Sequence, residues 1–327
     1  MEVTCLMENT VGNELCQSEH GLSLYVETEN HTVLIDTGAS GLFIENARNL
    51  GIDLSKVEMV FLSHGHYDHG GGILAFHKIN PMVPIIMQKS ALGDYWHKST
   101  LVKKYIGLNS GIREIENLVL LEGDLVYDRE ILKCEADCGK NKQYGAVNGK
   151  GENVREYPTD NKNREYVWKL QEKNKVTEAI DVFTLKYKNQ DKLKCWPQGN
   201  LVLKEKVGNE YIQDHFVHEQ YIVLHENGKS VLISGCAHNG ILNILEEYRN
   251  IYGNNPDVII SGFHMRKKTG YSKQDFEVIR ETAEVLKETG ILCYTGHCTG
   301  EEPYRIMKEI MGEQLQYVHC GDVFEIL

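Results

Sequence analysis

The feature that most constrains this chain is a run of metal-binding side chains directly after a short, largely apolar segment. Residues 63–72 read SHGHYDHGGG, and they follow residues 57–62, which predict a buried strand. Three imidazoles and one carboxylate lie between His64 and His69. Packing several histidines at one strand end is costly through like-charge crowding unless they bind a cation. The run therefore predicts a metal site.

The spacing within this run predicts two adjacent metal positions. On a loop that leaves a strand, His64 and His66 point the same way, whereas Asp68 and His69 begin the next helix and face back across the gap. Imidazole suits zinc, iron, nickel and copper, and a carboxylate adds tolerance for manganese. The pattern thus indicates first-row transition metals without selecting one.

The predicted strands and helices fall into two similar halves. The first half gives a hairpin over residues 22–37, a helix from Leu42 to Leu50 and a strand from Val57 to Leu62. The second half gives a hairpin over 221–225 and 230–234, helices over 241–251, 273–289 and 302–311, and strands over 258–260 and 291–294. We expect one α/β domain over residues 1–327, a four-layer αββα sandwich with helices outside two central sheets.

A basic segment, residues 139–206, separates the two halves. It holds 15 Lys and Arg against 9 Asp and Glu, a charge of +6, while the remaining residues sum to −18. Glycines and polar residues predict a mobile loop at its start, and residues 167–180 predict a weak helix. We interpret the segment as an insertion that is either a solvated surface excursion or a lid over the active site.

Composition limits the partners and the compartment. The net charge of −12 argues against a nucleic-acid surface, because such surfaces carry excess positive charge. Residues 1–12 lack the parts of a signal peptide, and no run of about 18 apolar residues predicts a membrane span. Nine cysteines without a regular framework favour free thiols in a reducing compartment. We expect a cytoplasmic protein whose partner is neither nucleic acid nor a membrane; its oligomeric state is left open.

The motif HxHxDH at residues 64–69, with Asp36-Thr37-Gly38 before it, resembles the metallo-β-lactamase superfamily. Four further segments resemble one branch of that superfamily: EHG at 19–21, GCAHNGI at 235–241, SGFH at 261–264 and GHCTG at 296–300. This branch contains the dihydropterin ribofuranosylaminobenzene-phosphate synthase of methanopterin biosynthesis and bacterial relatives. The resemblance covers nearly all of the chain outside the basic segment, and it implies the αββα fold with one or two metals between the sheet edges.

The resemblance also implies a ligand set. His64 and His66 would bind the first metal, and Asp68, His69 and His297 would bind the second. We expect two divalent transition-metal ions, with zinc as the first choice and iron or manganese as alternatives.

Two positions depart from the superfamily pattern. Where a metal-bridging aspartate is usual, this chain has Cys236, whose thiolate is a good ligand for zinc or iron. The alternative is that Cys236 only packs while His238 reaches the metal. A further histidine ligand is expected upstream, and the candidates are His215 and His218. We favour His218, with an exposed loop histidine as the alternative.

Three residues beside these motifs have other predicted roles. Asp36 is expected to orient a metal ligand by accepting its second ring N–H. His20 and His264 are expected to contact a substrate oxygen or to shuttle a proton, or else to be buried structural histidines. Together with Asp68, which is also an expected metal ligand, His20 and His264 are the predicted catalytic residues.

These features predict a metallohydrolase that uses a metal-activated water. Two metals lower the pKa of a bound water from about 16 to about 7 and polarise the oxygen of the substrate. We expect a small anionic substrate with an ester-like bond, and a phosphoester is favoured because two cations neutralise charge that develops on oxygen. A metal-dependent transferase of the dihydropterin-diphosphate type, which releases pyrophosphate, is the same-site alternative. A non-catalytic, metal-containing ligand sensor is the alternative from another class.

Overall fold

The computed structural model describes residues 1–125, 178–185, 193–268 and 270–326. The strands in these ranges are β1 (Glu2–Met7), β2 (Ser23–Glu27), β3 (Thr32–Ile35), β4 (Met59–Phe61), β5 (Ile85–Gln88), β6 (Tyr95–Lys98), β7 (Lys103–Tyr105), β8 (Leu118–Leu121), β9 (Glu178–Phe183), β10 (Leu203–Val207), β11 (Glu210–Gln213), β12 (Tyr221–Glu226), β13 (Lys229–Ser234), β14 (Val258–Ser261), β15 (Leu292–Thr295), β16 (Leu315–Tyr317) and β17 (Val323–Glu325). The helices are α1 (Leu42–Asn49), α2 (Tyr67–Gly70), α3 (Ile73–His77), α4 (Ile241–Tyr252), α5 (Lys273–Thr289) and α6 (Glu301–Met311). Of these helices, none has the length and apolar composition that crossing a membrane requires.

Two large mixed sheets form the centre of the molecule. The first has the strand order β17-β1-β2-β3-β4-β5-β8, and the second has the order β16-β15-β14-β13-β12-β9. In the first sheet β3, β4, β5 and β8 are parallel neighbours, and in the second β13, β14, β15 and β16 are. The remaining pairs in both sheets are antiparallel, and of these β2 with β3 and β12 with β13 are joined by short hairpin turns.

Alternating side chains divide the interior into three apolar layers. In β3, Val33 and Ile35 face the core between the sheets, whereas Leu34 packs against α1 and α3. In β13, Val231 faces the same central core and Leu232 packs against α4, α5 and α6. Because neighbouring residues of a strand point to opposite faces, each sheet is buried on both sides. The result is the predicted four-layer αββα sandwich.

A third, four-stranded sheet was not predicted from the sequence. Its order is β11-β10-β6-β7, and all its pairs are antiparallel. Tyr95, Leu203 and Phe216 join it to the body of the protein through a small apolar cluster. The ring of Tyr95 lies 6.0 Å from that of His66, so this sheet lies beside the HxHxDH run.

Parts of the basic segment belong to the sheets of the fold. Residues 139–177 and 186–192, which include the predicted loop and most of the predicted lid, lie outside the described residues. Residues 178–180, expected at the end of a weak helix, instead belong to β9, which pairs with β12 along its whole length. The helical expectation is wrong there because backbone pairing in the second sheet overrides a weak local preference. Residues 203–206 likewise belong to β10 of the third sheet.

The parallel strands of both large sheets end at the same edge of the molecule. Asp36 follows β3, His64 follows β4 and Cys236 follows β13, while His264 and His297 follow β14 and β15. Loops at the carboxyl ends of parallel strands are where α/β folds place binding residues. The fold therefore brings residues that are far apart in sequence into one cluster.

Candidate metal centre

His64 and His238 face each other across the gap between the two sheets. Their Nε2 atoms lie 3.3 Å apart, and both rings are buried. Burial and the neighbouring imidazoles hold the pKa of each ring well below its usual value, so both rings are neutral at pH 7.

Both of these rings use the Nδ1 proton in a hydrogen bond that points away from the gap. The His238 Nδ1–H donates to Asn200 Oδ1 at 2.9 Å, and the Asn200 amide is oriented by donating to the His238 carbonyl at 2.7 Å. The Ser63 hydroxyl donates to Asp36 at 2.7 Å, so its oxygen accepts from the His64 Nδ1–H at 2.9 Å. Two Nε2 lone pairs therefore face each other, an arrangement that a cation between them stabilises.

His66 adds a third buried imidazole to this side of the gap. Its ring centre lies 4.6 Å from that of His64 and 4.9 Å from that of His238. Its Nε2 atom is buried without a hydrogen-bond partner, and burial lowers the pKa of the ring to about 3. Gly65 lets the loop approach Ala91, because a Cβ at Gly65 would overlap the Ala91 backbone. A buried ring nitrogen that has no hydrogen-bond partner in the protein suits a metal ligand.

Asp68, His69 and His297 form a second group of donors. The Nε2 atoms of His69 and His297 lie 3.1 Å apart, and they lie 4.0 Å and 3.5 Å from Asp68 Oδ2. The His69 Nδ1–H donates to Asp36 at 2.6 Å, and the His297 Nδ1–H donates to Asn9 at 3.0 Å. Here too the Nε2 atoms point inward.

Charge in the second group favours a cation. Burial lowers the pKa of His69, but the Asp36 carboxylate outweighs it and raises that pKa to about 9. Burial raises the pKa of Asp68, yet the imidazoles of His297 and His69 hold it well below its usual range. At neutral pH the inward Nε2 of His69 therefore carries a proton beside an ionised carboxylate. A metal cation would occupy the place of that proton.

Cys236 lies between the two donor groups. Its Sγ atom is 3.2 Å from His69 Nε2, and it is within 4.8 Å of donor atoms of His64, His238 and His297. Burial raises the pKa of the free thiol well above its usual value, whereas a metal ligand must be a thiolate. The two expectations for this region, Cys236 or His238, are not exclusive, because the fold brings both side chains to the gap.

His218, the further histidine expected as a ligand, lies with His66 and Asp214 in a buried group whose donor atoms are within 4.8 Å of one another. Its Nδ1 accepts the Gly65 N–H at 3.0 Å, and its Nε2–H donates to Asp214 Oδ2 at 3.1 Å. Since both ring nitrogens have protein partners, the geometry favours a role in holding the loop that carries His64 and His66. Asp214, which sequence reasoning missed, lies 4.0 Å from His66 Nε2. His215 is exposed.

The predicted catalytic histidines lie on either side of the donor groups. His20 stacks on His297 with ring centres 5.0 Å apart, and its Nε2 is 3.3 Å from Asp68 Oδ2. The ring centre of His264 lies 4.1 Å from that of His238, and its buried Nδ1 has no hydrogen-bond partner. His264 also shares a group of donor atoms with Cys236 and Cys298, all within 4.8 Å of one another.

Several strand-end residues have a left-handed backbone. The φ angles are +59° at Asp36, +51° at Ala237, +48° at His264 and +49° at His297. This conformation costs a residue with a Cβ roughly 1–2 kcal/mol, so the surrounding structure must hold it in place. At His297 the buried Glu8 carboxylate accepts the backbone N–H. The backbone turn is what directs the ring into the gap.

Comparison with known proteins agrees with this fold. Residues 19–137 match the model of the metallo-beta-lactamase superfamily. The 7,8-dihydropterin-6-methyl-4-(beta-D-ribofuranosyl)-aminobenzene-5'-phosphate synthase of Methanocaldococcus jannaschii is 23% identical over 336 aligned positions, covering 99% of this chain and 96% of that protein. An uncharacterized protein of the same organism is also 23% identical, covering 99% and 100%. Tm1679, described as a metal-dependent hydrolase of the beta-lactamase superfamily, superposes with a TM-score of 0.69 at 23% identity, covering 100% and 99%. The predicted resemblance and fold are confirmed.

Proposed function

We propose that this chain, which has the metallo-β-lactamase fold, is a metal-dependent hydrolase of small anionic substrates with an ester-like bond, a phosphoester being favoured. One observation supports this most strongly. The neutral rings of His64 and His238 direct two Nε2 lone pairs at each other across 3.3 Å, while their Nδ1 protons are used elsewhere. A cation is the group that satisfies both nitrogens. His69 and His297 also bring two Nε2 atoms within 3.1 Å of each other, beside the Asp68 carboxylate.

The proposed ligands divide between two cations. His64, His66 and His238 would hold the first, Asp68, His69 and His297 would hold the second, and the Cys236 thiolate would lie between them. Imidazole, carboxylate and thiolate together suit zinc, with iron and manganese as alternatives. When bound, two such cations lower the pKa of water and polarise a substrate oxygen.

His264 is the proposed proton carrier of the site. Its Nδ1 is buried without a hydrogen-bond partner, and its ring lies against His238. An imidazole beside the ligands but free at one nitrogen can hold or release a proton there.

The cytoplasmic location, the lid function of the basic segment and the absence of a nucleic-acid partner stay predictions.

The alternative function is a transferase that uses the same metals to release pyrophosphate from a dihydropterin diphosphate. It is favoured by the similarity to the M. jannaschii dihydropterin synthase, which aligns with 99% of this chain. The two functions differ in the acceptor, because a hydrolase uses water and a transferase uses an aromatic carbon or amine. A metal-bound protein that turns over neither kind of substrate would instead fit the ligand sensor.

The test joins metal analysis to a substrate screen. Protein purified without added metal is analysed for bound ions, stripped with a chelator and reloaded with Zn²⁺, Mn²⁺ or Fe²⁺. It is then assayed on phosphomonoesters, phosphodiesters, lactones and thioesters, and in parallel on pterin diphosphates for pyrophosphate release. His66→Ala is expected to lose turnover with little loss of fold, whereas His77→Ala, which changes a histidine outside the site, is expected to retain it. Undiminished activity and full metal content in His66→Ala would contradict the proposal.

A further inference from the structure

Three imidazoles, not two, converge on the carboxylate of Asp68. The Nε2 atoms of His20, His297 and His69 lie 3.3, 3.5 and 4.0 Å from Asp68 Oδ2. His20 approaches from the open side, since about half of its side chain is exposed (48%) while His69 and His297 are buried. The expectation for His20 was contact with a substrate oxygen or transfer of a proton.

The hydrogen bonds of His20 follow the same pattern as those of the proposed ligands. Its Nδ1 lies 3.2 Å from Asn9 Oδ1, the same oxygen that accepts from His297 Nδ1–H at 3.0 Å. The orientation of the Asn9 amide is fixed, because its Nδ2 donates to the His297 carbonyl at 2.8 Å and its oxygen faces the Gly21 N–H at 3.4 Å. If the Nδ1 proton of His20 points at Asn9, as that of His297 does, the Nε2 lone pair of His20 points at Asp68.

A neutral His20 cannot satisfy both of its neighbours by itself. With the proton on Nδ1, a lone pair faces a carboxylate oxygen at 3.3 Å; with the proton on Nε2, a lone pair faces the Asn9 oxygen instead. A ring with a proton on both nitrogens would be a positively charged imidazolium. It would then repel the cation that Asp68, His69 and His297 are proposed to hold. A metal ion within reach of both Nε2 and Asp68 Oδ2 removes the conflict.

We propose that His20 is an additional ligand of the second metal position, an inference that rests on the proposed metal centre. The stacking of His20 on His297, with an angle of 25° between the rings, directs two imidazoles side by side toward the same carboxylate. His20 thereby occupies the solvent-facing side of this position and is the ligand that an incoming substrate meets.

The test compares two substitutions of one residue. His20→Ala removes both the ligand and any hydrogen bond, whereas His20→Gln keeps a donor toward Asp68 but removes the imidazole. His77→Ala, which changes a partly exposed histidine outside the donor groups, is the matched control. Zn²⁺ affinity is measured by competition with a chromophoric chelator, and the ligand field is followed by the absorption spectrum of Co²⁺-loaded protein.

The expected result is that the parent and His77→Ala bind two ions, while both His20 variants bind one of the two about 10-fold or more weakly. The Co²⁺ spectrum changes in both His20 variants, and added imidazole restores the affinity of His20→Ala. Circular dichroism checks that each variant is folded.

Two outcomes would overturn the inference, and they are distinguishable from failure of the proposed function. If both His20 variants bind two ions as tightly as the parent, or if His20→Gln alone does, His20 is a hydrogen-bond partner of Asp68 and the metal centre stands. If the parent itself binds no metal, the proposed function fails together with this assignment.

Discussion

The Oδ2 atom of Asp36 accepts the His69 Nδ1–H at 2.6 Å and, at the same time, the Ser63 hydroxyl at 2.7 Å. The Ser63 oxygen in turn accepts from His64. One buried carboxylate thus fixes a ring in each of the two donor groups. Both proposed metal positions therefore depend on Asp36, and a substitution of Asp36 is expected to disturb ligands of both.

Asp36→Asn is expected to weaken metal binding at both positions by about 10- to 100-fold, the range typical of groups that orient ligands. The asparagine side chain has one acceptor oxygen, whereas the carboxylate has two. The NH₂ group of the asparagine must therefore face either the Ser63 N–H or the His69 N–H, and a donor then faces a donor. Asn tolerates the left-handed backbone at this residue, which keeps the test specific. Chelator competition on both ions is the measurement. Asp53→Asn, at an exposed turn, is the control and should bind as the parent does.

Cys236→Asp is expected to retain more metal and more turnover than Cys236→Ala. Aspartate restores an anionic ligand between the two positions, whereas alanine leaves the donors around it without one. The order of the two variants, followed by metal content per chain, is the test. Parent-like metal content in both would mean that Cys236 only packs.

Asn200→Ala is expected to weaken the first position selectively. Asn200 accepts the Nδ1 proton of His238, so its loss frees that ring to change tautomer and orientation. The second position does not contact Asn200, and its affinity should stay within error of the parent. Titration of metal-free protein with Zn²⁺ separates the two affinities. An equal loss at both positions would argue for a general loss of packing instead.

Ser272→Ala is expected to lower the free energy of unfolding by about 0.5–2 kcal/mol without changing metal affinity. The Ser272 hydroxyl accepts the Asp275 N–H at the start of α5, and the Asp275 carboxylate accepts the Ser272 N–H. Helix α5 lies in an outer layer, so the loss should not reach the site. Urea denaturation measures the effect, and Ser272→Thr, which keeps the hydroxyl that accepts from Asp275 N–H and donates to its carboxylate, should lose less. Equal losses in both variants would reject the capping explanation.

The strongest local patterns predicted the fold and the place of the HxHxDH run at a strand end. The helix over 273–289 was expected at its observed bounds, and His64 to His69 lie at the expected strand end. These features depend on periodicity and on residues that are neighbours in sequence, which is the information that a single sequence carries best.

Features that depend on distant contacts were not predictable. Asn9 lies 288 residues from His297, which it orients, and nothing in its local sequence marks that role. The same holds for Asn200 beside His238 and for Asp214 beside His66. Strand β9 was missed because its pairing with β12, rather than its own composition, determines its conformation.

The left-handed strand ends have an evolutionary consequence. Glycine adopts this backbone without the steric cost, but at Asp36 it would also remove the acceptor of the Ser63 and His69 hydrogens. Only Ala237 lacks a polar side chain directed at the site. Laboratory evolution toward heat resistance is therefore expected to accept glycine at Ala237 and to spare the other three under a simultaneous demand for activity. At His264 and His297, a change to glycine would relieve the backbone but remove a side chain that the proposed site uses.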